Sequence, residues 1–324
     1  MRYRKSIMFT LIVLIFLAVI TVLAFSLTRI RYEEKQSLYQ SRIMGMNDFL
    51  ASFEADSERA IYISTFRTLV ALEDYVSHNA KFLNDTSYYF QEVFYEGRIE
   101  NTTFEIMNES TFHDYQRKVN EIANQVNMEF NSTVNRIDLS MKDPWTIRVG
   151  VDMFVNLTDR TNLAKWEYNT TIYAELPIFD IRDPLYSVNT LGKLPVTIKK
   201  TNVSIFVNDS NNQNDTFNLQ VHLNNSFYIN NSMAPNFLMR FENNLSPDKN
   251  GIESLVNLQV LADQGWTIDD NNRSVVDYIY FSETDTDNYC TIQGMVFTPN
   301  NWFILDKAHA EIYQVNTTVS HTNC

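Results

Sequence analysis

The stretch IMFTLIVLIFLAVITVLAFSL, from Ile7 to Leu27, decides how the rest of the chain is arranged. It contains no charged residue, Gly or Pro, and as a helix it would be roughly 30 Å long, the thickness of the apolar core of a bilayer. A cleaved signal peptide is the alternative, since Ala24-Phe25-Ser26 resembles a small-residue cleavage site. The apolar core of a signal peptide is usually only about 7 to 15 residues long. We therefore predict an uncleaved transmembrane helix over 7–27, with 1–6 on the cytoplasmic side.

Triplets of the form Asn-x-Ser/Thr, the acceptor motif for N-linked glycans, all follow this stretch. Basic residues flank it almost equally on both sides, so the triplets decide the orientation. Fourteen are present, whereas chance predicts about five or six. We therefore expect the chain after the helix to be extracellular; the alternative is that Asn is simply common on exposed strand faces. The predicted glycan acceptors are Asn84, Asn101, Asn108, Asn131, Asn156, Asn169, Asn202, Asn208, Asn214, Asn224, Asn230, Asn272 and Asn316, while Asn244 is the weakest because Pro247 follows its Ser.

Helices are expected in the first part of the chain. Residues 1–143 contain no Pro and only two Gly, and a scarcity of these residues favours helices. Apolar residues at spacings of three and four between Ile43 and Val70 predict an amphipathic helix that continues the membrane helix to about Phe82. A second helix is predicted from Phe112 to about Val126. Its apolar stripe either packs in the core or joins copies of the protein.

Strands are expected after Val134, because apolar and polar residues alternate there. The turn Lys142-Asp143-Pro144 predicts a hairpin whose second strand is 145–156. Further strands are predicted at 165–177, 196–208, 215–227, 274–282, 289–298 and 302–316, with one short helix after Ala234-Pro235. One-sided alternation favours antiparallel sheets.

The predicted fold is therefore α+β. It has an N-terminal transmembrane helix continuing into a long amphipathic helix, a second helix, and then an antiparallel β-sandwich-like exterior domain. The expected domains are a cytoplasmic tip (1–6), the transmembrane helix (7–27), a helical stalk or helical layer (28–132) and a β-rich extracellular domain (133–324).

Charge and motifs exclude several functions. A net charge of −13 argues against a nucleic-acid partner and against docking on anionic lipid by charge. The five histidines lack metal-ligand spacing, and no catalytic or nucleotide-binding motif is present. We therefore expect neither an enzyme nor a cofactor. The weak metal candidates are Glu283, Asp285 and Asp287, whose carboxylates suit Ca²⁺; they lack the Gly and distal Glu of an EF-hand loop, so a solvated loop is the alternative.

The two cysteines, Cys290 and Cys324, both lie in the part expected outside the cell, where disulfides persist. A bridge between them would close a loop of about 35 residues, with a chain-entropy stabilisation of roughly 3 to 4 kcal/mol. Separate thiols or an intermolecular link are the alternatives.

A short basic leader, RYRKS (2–6), runs directly into the membrane helix, its amphipathic continuation and a β-rich exterior. This order resembles archaeal type IV pilin-like proteins, and Lys5-Ser6 resembles their processing site. Thr10 or Leu11 stands where a mature pilin commonly has an acidic residue. The stretches KDPWTIRV (142–149), RDPLYSVNT (182–190), APNFLMRFEN (234–243), GIESLVN (251–257) and VDYIYFS (276–282) also resemble a group of single-anchor surface proteins of small-genome archaea. That resemblance brings no activity and no functional residues.

Three functions from different classes are consistent with these features. The first is a membrane-anchored cell-surface glycoprotein with a structural or adhesive role, alone or as a pilin-like subunit. Its partners would be the lipid bilayer through 7–27, and further copies or components of a pilus or surface layer. The second is a sensory or accessory ectodomain that acts with a membrane partner. The third is an exported hydrolase acting on glycans or peptides, which would need carboxylates converging in a cleft.

Overall fold

The computed structural model describes residues 2–207, 215–266, 273–282, 289–292, 295, 302–315 and 321–322. Within these ranges the side chains of 2–7, 30–32, 34, 289–292 and 321–322 are not described. The chain mixes helices with small antiparallel sheets, so the predicted combination of an N-terminal apolar helix with helices and strands after it is confirmed.

The first helix, α1, runs from Arg2 to Asn79 without interruption. Its 78 residues correspond to a length of about 117 Å. The sequence allows this length because it has no Pro there, and Gly45 is its single Gly. Met46 is the first residue that the structure describes as buried. The predicted membrane helix and its amphipathic continuation are therefore one element, which ends at Ala80, a residue with a left-handed φ of 48°.

Short elements connect α1 to the first long strand. They are α2 (Thr86–Glu96), the hairpin strands β1 (Arg98–Ile99) and β2 (Thr102–Thr103), a 3-10 turn (Glu105–Met107) and α3 (Phe112–Gln125). Helix α2 begins where the Asp85 side chain accepts the amide of Tyr88 and ends at Gly97, whose φ of 71° suits glycine. The predicted helix from Phe112 is confirmed.

A three-stranded sheet follows, made of β3 (Met128–Asp143), β4 (Thr146–Asp159) and β5 (Lys165–Pro177) in that order. Two residues join β3 to β4 and five join β4 to β5, links too short for a parallel crossover. Along β4, fully buried residues alternate with half-exposed ones over most of the strand. The predicted hairpin and the predicted strand at 165–177 are therefore confirmed.

The described residues after β5 form short elements. They are α4 (Pro184–Asn189), α5 (Phe217–Asn224), β6 (Tyr228–Asn230), α6 (Phe237–Arg240), β7 (Ile252–Ser254), α7 (Leu258–Asp263), α8 (Asp277–Phe281), β8 (Tyr289–Ile292), β9 (Ile304–Asp306), α9 (Lys307–Ile312) and β10 (His321–Thr322). β6 pairs antiparallel with β7. β8 lies between β9 and β10 in another three-stranded antiparallel sheet. A sandwich is not confirmed, because the sheets of the described residues have two or three strands.

Several predicted strands are wrong. The range 215–227 contains α5 instead, and 274–282 contains α8. In the described part of 302–316, which ends at residue 315, β9 is followed by α9. The range 196–208 is irregular where it is described, with isolated bridges at Thr197 and Lys200. Of 289–298, the part that the structure describes as a strand is β8. The short helix predicted after Pro235 is confirmed as α6.

The chain divides into two compact units. The first comprises Met1–Asp56, Val119–Ser132 and Val155–Tyr168, and the second Ser57–Lys118, Thr133–Phe154 and Asn169–Cys324. In the first unit the ring of Phe130 lies between those of Phe49 and Phe53, at centroid distances of 5.6 and 4.8 Å. The second unit contains the clusters of buried charged side chains described below.

Candidate functional site

Met8–Arg29 of α1 is a wholly exposed apolar surface. Its mean hydropathy is 3.0 and none of it is buried. The hydroxyls of Thr21 and Thr28 donate to carbonyls three or four residues earlier in the helix, so both hydroxyls have a partner without water, as the interior of a bilayer requires. Within the described part of the chain, this is the one helix long and apolar enough to cross a membrane.

The predicted glycan acceptors that the structure describes are exposed or half-buried. Asn156 is half-buried. Eight others are exposed, namely Asn84, Asn101, Asn108, Asn131, Asn169, Asn202, Asn224 and Asn230. Four more, Asn208, Asn214, Asn272 and Asn316, lie outside the described residues. Asn156 and Asn169 are on the wet faces of their strands, as predicted, whereas Asn224 ends a helix and not a strand.

A buried ion cluster is the most unusual feature of the second unit. The guanidinium of Arg240, at the end of α6, donates from Nη1 to Asp183 Oδ2 at 2.6 Å and to Asp277 Oδ2 at 2.9 Å. All three side chains are completely buried. Nη2 of Arg240 donates to the carbonyl of Ile252 in β7. Charges in this position need such partners, because a buried unpaired ion costs several kcal/mol.

Neutral donors complete the cluster. The hydroxyl of Tyr228 donates to Asp183 Oδ2 at 2.7 Å, and both the amide and the hydroxyl of Ser254 donate to Asp277 Oδ2 at 3.0 Å. Burial raises the pKa of Asp277 to about 6, although Arg240 opposes that shift. Burial alone would lower the pKa of Arg240, but Asp183 and Asp277 outweigh it and raise that pKa.

His309 forms a second cluster beside β7. Its Nδ1 lies 2.7 Å from Asp306 Oδ2, and its Nε2 lies 3.2 Å from Glu253 Oε2 and 3.1 Å from the hydroxyl of Tyr278. Asn231 Nδ2 donates to the same Glu253 oxygen at 2.6 Å. Burial lowers the pKa of His309, but the hydrogen bonds with Asp306 and Glu253 prevail and raise it to about 9. His309 is therefore a cation at neutral pH.

Together the two clusters join segments that are far apart in the sequence. Asp183 caps α4, Arg240 ends α6, Asp277 begins α8, and β7 supplies Ile252, Glu253 and Ser254 in succession. Most polar groups of the two clusters are hydrogen-bonded to one another. Within the described part of the chain, Arg240 Nε and Glu253 Oε1 are the cluster atoms without a hydrogen-bond partner. The arrangement fits a cross-link between elements better than a site open to substrate.

Segments 182–190, 234–243, 251–257 and 276–282 meet here. RDPLYSVNT contains Asp183, APNFLMRFEN contains Arg240, GIESLVN contains Glu253, and VDYIYFS contains Asp277. Asp183 and Arg240 form an ion pair although they are 57 residues apart in the chain. The periodicity of a single segment could not have revealed this pairing.

A cavity of about 620 Å³ lies elsewhere in the second unit. It is lined by Glu96, Gly97, Thr103, Phe104, Glu105, Met107, Asn108, Thr111 and Asp114. Arg98 lies 3.9 Å from Glu96, and Arg117 lies 3.0 Å from Asp114. Two of the three acidic lining residues, Glu96 and Asp114, therefore have an arginine partner at the surface.

Most of the remaining predicted site residues lie outside the described residues. The weak metal candidates Glu283, Asp285 and Asp287 are outside the described residues, as is Cys324. Cys290 belongs to β8, but its side chain is not described. The described residues contain no disulfide, so a Cys290–Cys324 bridge stays a prediction. They also contain no group of three or more His, Cys, Asp and Glu side chains arranged to hold a metal ion.

Comparison with protein-family models, with curated proteins and with solved structures found no match. Three features of the chain itself bear on its function: the exposed apolar helix, the surface asparagines of the acceptor triplets, and the buried ion clusters.

Proposed function

We propose that the protein is a single-pass cell-surface glycoprotein with a structural or adhesive role, either alone or as a pilin-like subunit. Met8–Arg29 carries this proposal, because 22 consecutive residues form a helix of mean hydropathy 3.0 with no buried part. An apolar surface of this size is unfavourable in water. It matches the thickness of a bilayer, and α1 continues from it without a break.

The acceptor triplets support an orientation with the N-terminus in the cytoplasm. All fourteen follow the apolar helix, and the described acceptors lie at the surface or half-buried. Transfer of a glycan to Asn requires export of the acceptor. In this orientation nearly all of the chain beyond α1's apolar part is extracellular.

A structural or adhesive role is supported by how the second unit is held together. Arg240 and His309 link segments between Asp183 and His309 through buried, charge-assisted hydrogen bonds. Such bonds are stronger than neutral ones and favour a single arrangement of the elements. A structural or adhesive protein has to present a surface on a rigid fold, and these buried bonds provide that rigidity.

Fractionation of native cells tests the anchor and the orientation together. We expect the protein to stay in membranes washed with alkaline carbonate, and proteases added to intact cells to remove everything after α1's apolar part. A variant with Leu14→Arg and Leu17→Arg puts two charges in the middle of the span, each costing about 2.5 to 3.5 kcal/mol there, and should lose membrane retention. As a control, Leu38→Arg changes an exposed residue beyond the span and should be retained. A wild-type protein that washes off, or that proteases reach only after lysis, contradicts the proposal.

Pilin-like assembly needs its own test. Surface filaments shear from cells, so a pilin-like subunit should be enriched in the sheared fraction and sediment as a polymer. A protein that remains with the cell body as a monomer would retain the anchored role and lose the pilin-like one.

A further inference from the structure

The outer face of the β4–β5 pair brings an acceptor asparagine opposite an aromatic ring. The register of the pair follows from contacts along it: the amide of Ile178 donates to the carbonyl of Trp145, and Arg148 binds Glu175 at 2.7 Å. Two residues further along β4, the ring of Tyr173 covers Gly150. The two strands are therefore antiparallel, and each residue forward along β4 corresponds to one residue back along β5. Continued by four more residues, this register places Asn169 directly opposite Phe154.

Phe154 stands on the wet side of the sheet. Met153 and Val155, on either side of it, are completely buried, whereas Phe154 is half-exposed. Neighbouring residues in a strand point to opposite faces, so the ring of Phe154 lies on the same face as Asn169. Cross-strand neighbours have Cβ atoms about 4.5 to 5.5 Å apart. The ring therefore provides an apolar surface beside the acceptor.

Asn169 itself is available for modification. It is exposed, and Thr171, the hydroxyl residue of its triplet, is exposed too. Within the described part of the chain, the side-chain amide of Asn169 makes no hydrogen bond. Glu167 and Thr171, the nearest residues on the same face of β5, are exposed as well, which leaves room above the strand for a sugar.

We propose that Asn169 carries an N-linked glycan whose first sugar lies on the ring of Phe154. This inference rests on the proposed function, because the acceptor must be exported. In the transfer, Asn169 Nδ2 bonds to the anomeric carbon of a lipid-carried sugar phosphate, the bond from that carbon to the phosphate oxygen breaks, the lipid phosphate leaves, and the amide loses one proton. A pyranose presents an apolar face of C–H groups, and covering Phe154 with it removes apolar surface from water.

Asn101 offers a matched comparison. It is also exposed and lies in the two-residue turn between β1 and β2, where it has no residue opposite on a neighbouring strand. A glycan there would extend into solvent. If contact with the Phe154 ring stabilises the protein, loss of the glycan at Asn169 should lower its stability, whereas loss of a glycan at Asn101 should not.

The test uses the full-length protein from its native cells. Glycopeptide mass spectrometry should find a glycan at Asn169, and Thr171→Ala should remove it while Thr171→Ser keeps it. Thr171→Ala should lower Tm by about 2 to 4 °C, whereas Thr103→Ala, which removes the Asn101 acceptor, should change Tm by less than about 1 °C. Phe154→Leu keeps an apolar side chain without the ring, and it should lower Tm more in the glycosylated protein than in the Thr171→Ala background, since the two changes remove one contact.

The failures are distinguishable. A protein that proteases reach on intact cells but that has an unmodified Asn169 overturns the inference and leaves the proposed function standing. A protein that is never exposed on the cell overturns the proposed function. A glycan at Asn169 whose loss shifts Tm no more than the loss at Asn101, or additive effects of Phe154→Leu and Thr171→Ala, overturns the contact with the ring.

Discussion

At the scale of single residues, the buried charge of Arg240 determines how much the second unit depends on its ion cluster. Arg240, Asp183 and Asp277 are all without exposure. Removing one partner of a buried ion pair leaves the other charge unpaired, which typically costs about 3 to 5 kcal/mol. We therefore expect Arg240→Met, which keeps most of the side-chain volume, to lower the free energy of unfolding by about that amount. Denaturant titration of the full chain in detergent measures it.

Arg148→Met is the matched control, because Arg148 pairs with Glu175 at the surface, where the two side chains are 43% and 38% exposed. Exposed ion pairs contribute at most about 1 kcal/mol, so this variant should change little. Equal losses in the two variants would mean that burial does not set the strength of these pairs.

Asp277 makes stability depend on pH on the acid side of neutrality. Its pKa is raised from the ordinary value of 3.8 to about 6 in the folded protein, so between these values the folded state holds a proton that the unfolded state has released. Its contribution is full below pH 3.8 and is lost as the pH rises through 6. The difference in unfolding free energy between wild type and Asp277→Asn should therefore shift against the wild type as the pH rises from 4 to 7. If this difference in unfolding free energy did not change with pH, the pKa of Asp277 would not be raised by folding.

His309 extends this dependence to alkaline pH. Its pKa rises from 6.5 to about 9 on folding, so its contribution is full below pH 6.5 and is lost as the pH rises through 9. Wild type should lose stability between pH 7 and 10, and His309→Gln should lose much less over that range. His222→Gln is a suitable control, since burial lowers the pKa of His222 to about 4 and this residue is neutral throughout. If His222→Gln also abolished the alkaline loss, His309 would not be its source.

At the scale of elements, two glycines should respond in opposite ways to the same substitution. A Cβ on Gly251 would lie 2.1 Å from the carbonyl oxygen of Ala234 and 2.3 Å from that of Asn231, next to β7 and the ion clusters. Gly251→Ala must displace this backbone, and we expect a loss of about 2 kcal/mol or more. Gly45 lies within α1 with no atom near its would-be Cβ. Gly45→Ala should stabilise the helix by about 0.5 to 1 kcal/mol, and thermal unfolding of the two variants measures both signs.

Element length explains which parts of the fold were predictable from the sequence. In α1, α3 and β3 to β5 the apolar period repeats often enough to identify the element. In α5 it does not: Phe217, Leu219, Val221 and Leu223 alternate like a strand, but the buried residues are Leu219, His222 and Leu223, which have helical spacing. Runs of eight residues fit both periods, and tertiary contacts decide between them. The ion clusters were unpredictable for a related reason, since Asp183 and Arg240 meet only after folding.

At the scale of the whole molecule, the exposed length of α1 predicts where the chain can be shortened. Residues 8–29, 33 and 35–41 are all exposed, whereas Arg42 is partly buried and makes long-range contacts. Its guanidinium donates to the carbonyls of Val126 and Asn127 at 2.9 and 2.8 Å and binds the carboxylate of Asp159, whose side chain is completely buried. Everything before Arg42 should therefore serve the anchor and its spacing from the membrane, and contribute little to the stability of the first unit.

Two truncations of α1, whose start points are about two helical turns apart, test whether Arg42 marks the start of the stabilising contacts. A chain that begins at Gln36, after an initiating Met, keeps Arg42 and loses the apolar span. We expect it to be soluble without detergent and to unfold within about 1 °C of the full-length protein. A chain that begins at Ile43 is equally free of the span but leaves the Asp159 carboxylate buried without its cation, which should cost about 1 to 3 kcal/mol or more. Burial raises the pKa of Asp159, but hydrogen bonds from Thr161 and Arg42 outweigh it and lower that pKa in the folded protein. The stabilisation that Arg42 gives is therefore lost in acid, and the difference in stability between the two truncations should shrink as the pH falls below about 4. If both truncations were equally stable, the Arg42 contacts would not hold the base of α1. If the longer one were already destabilised, the exposed part of α1 would be making contacts that hold the fold.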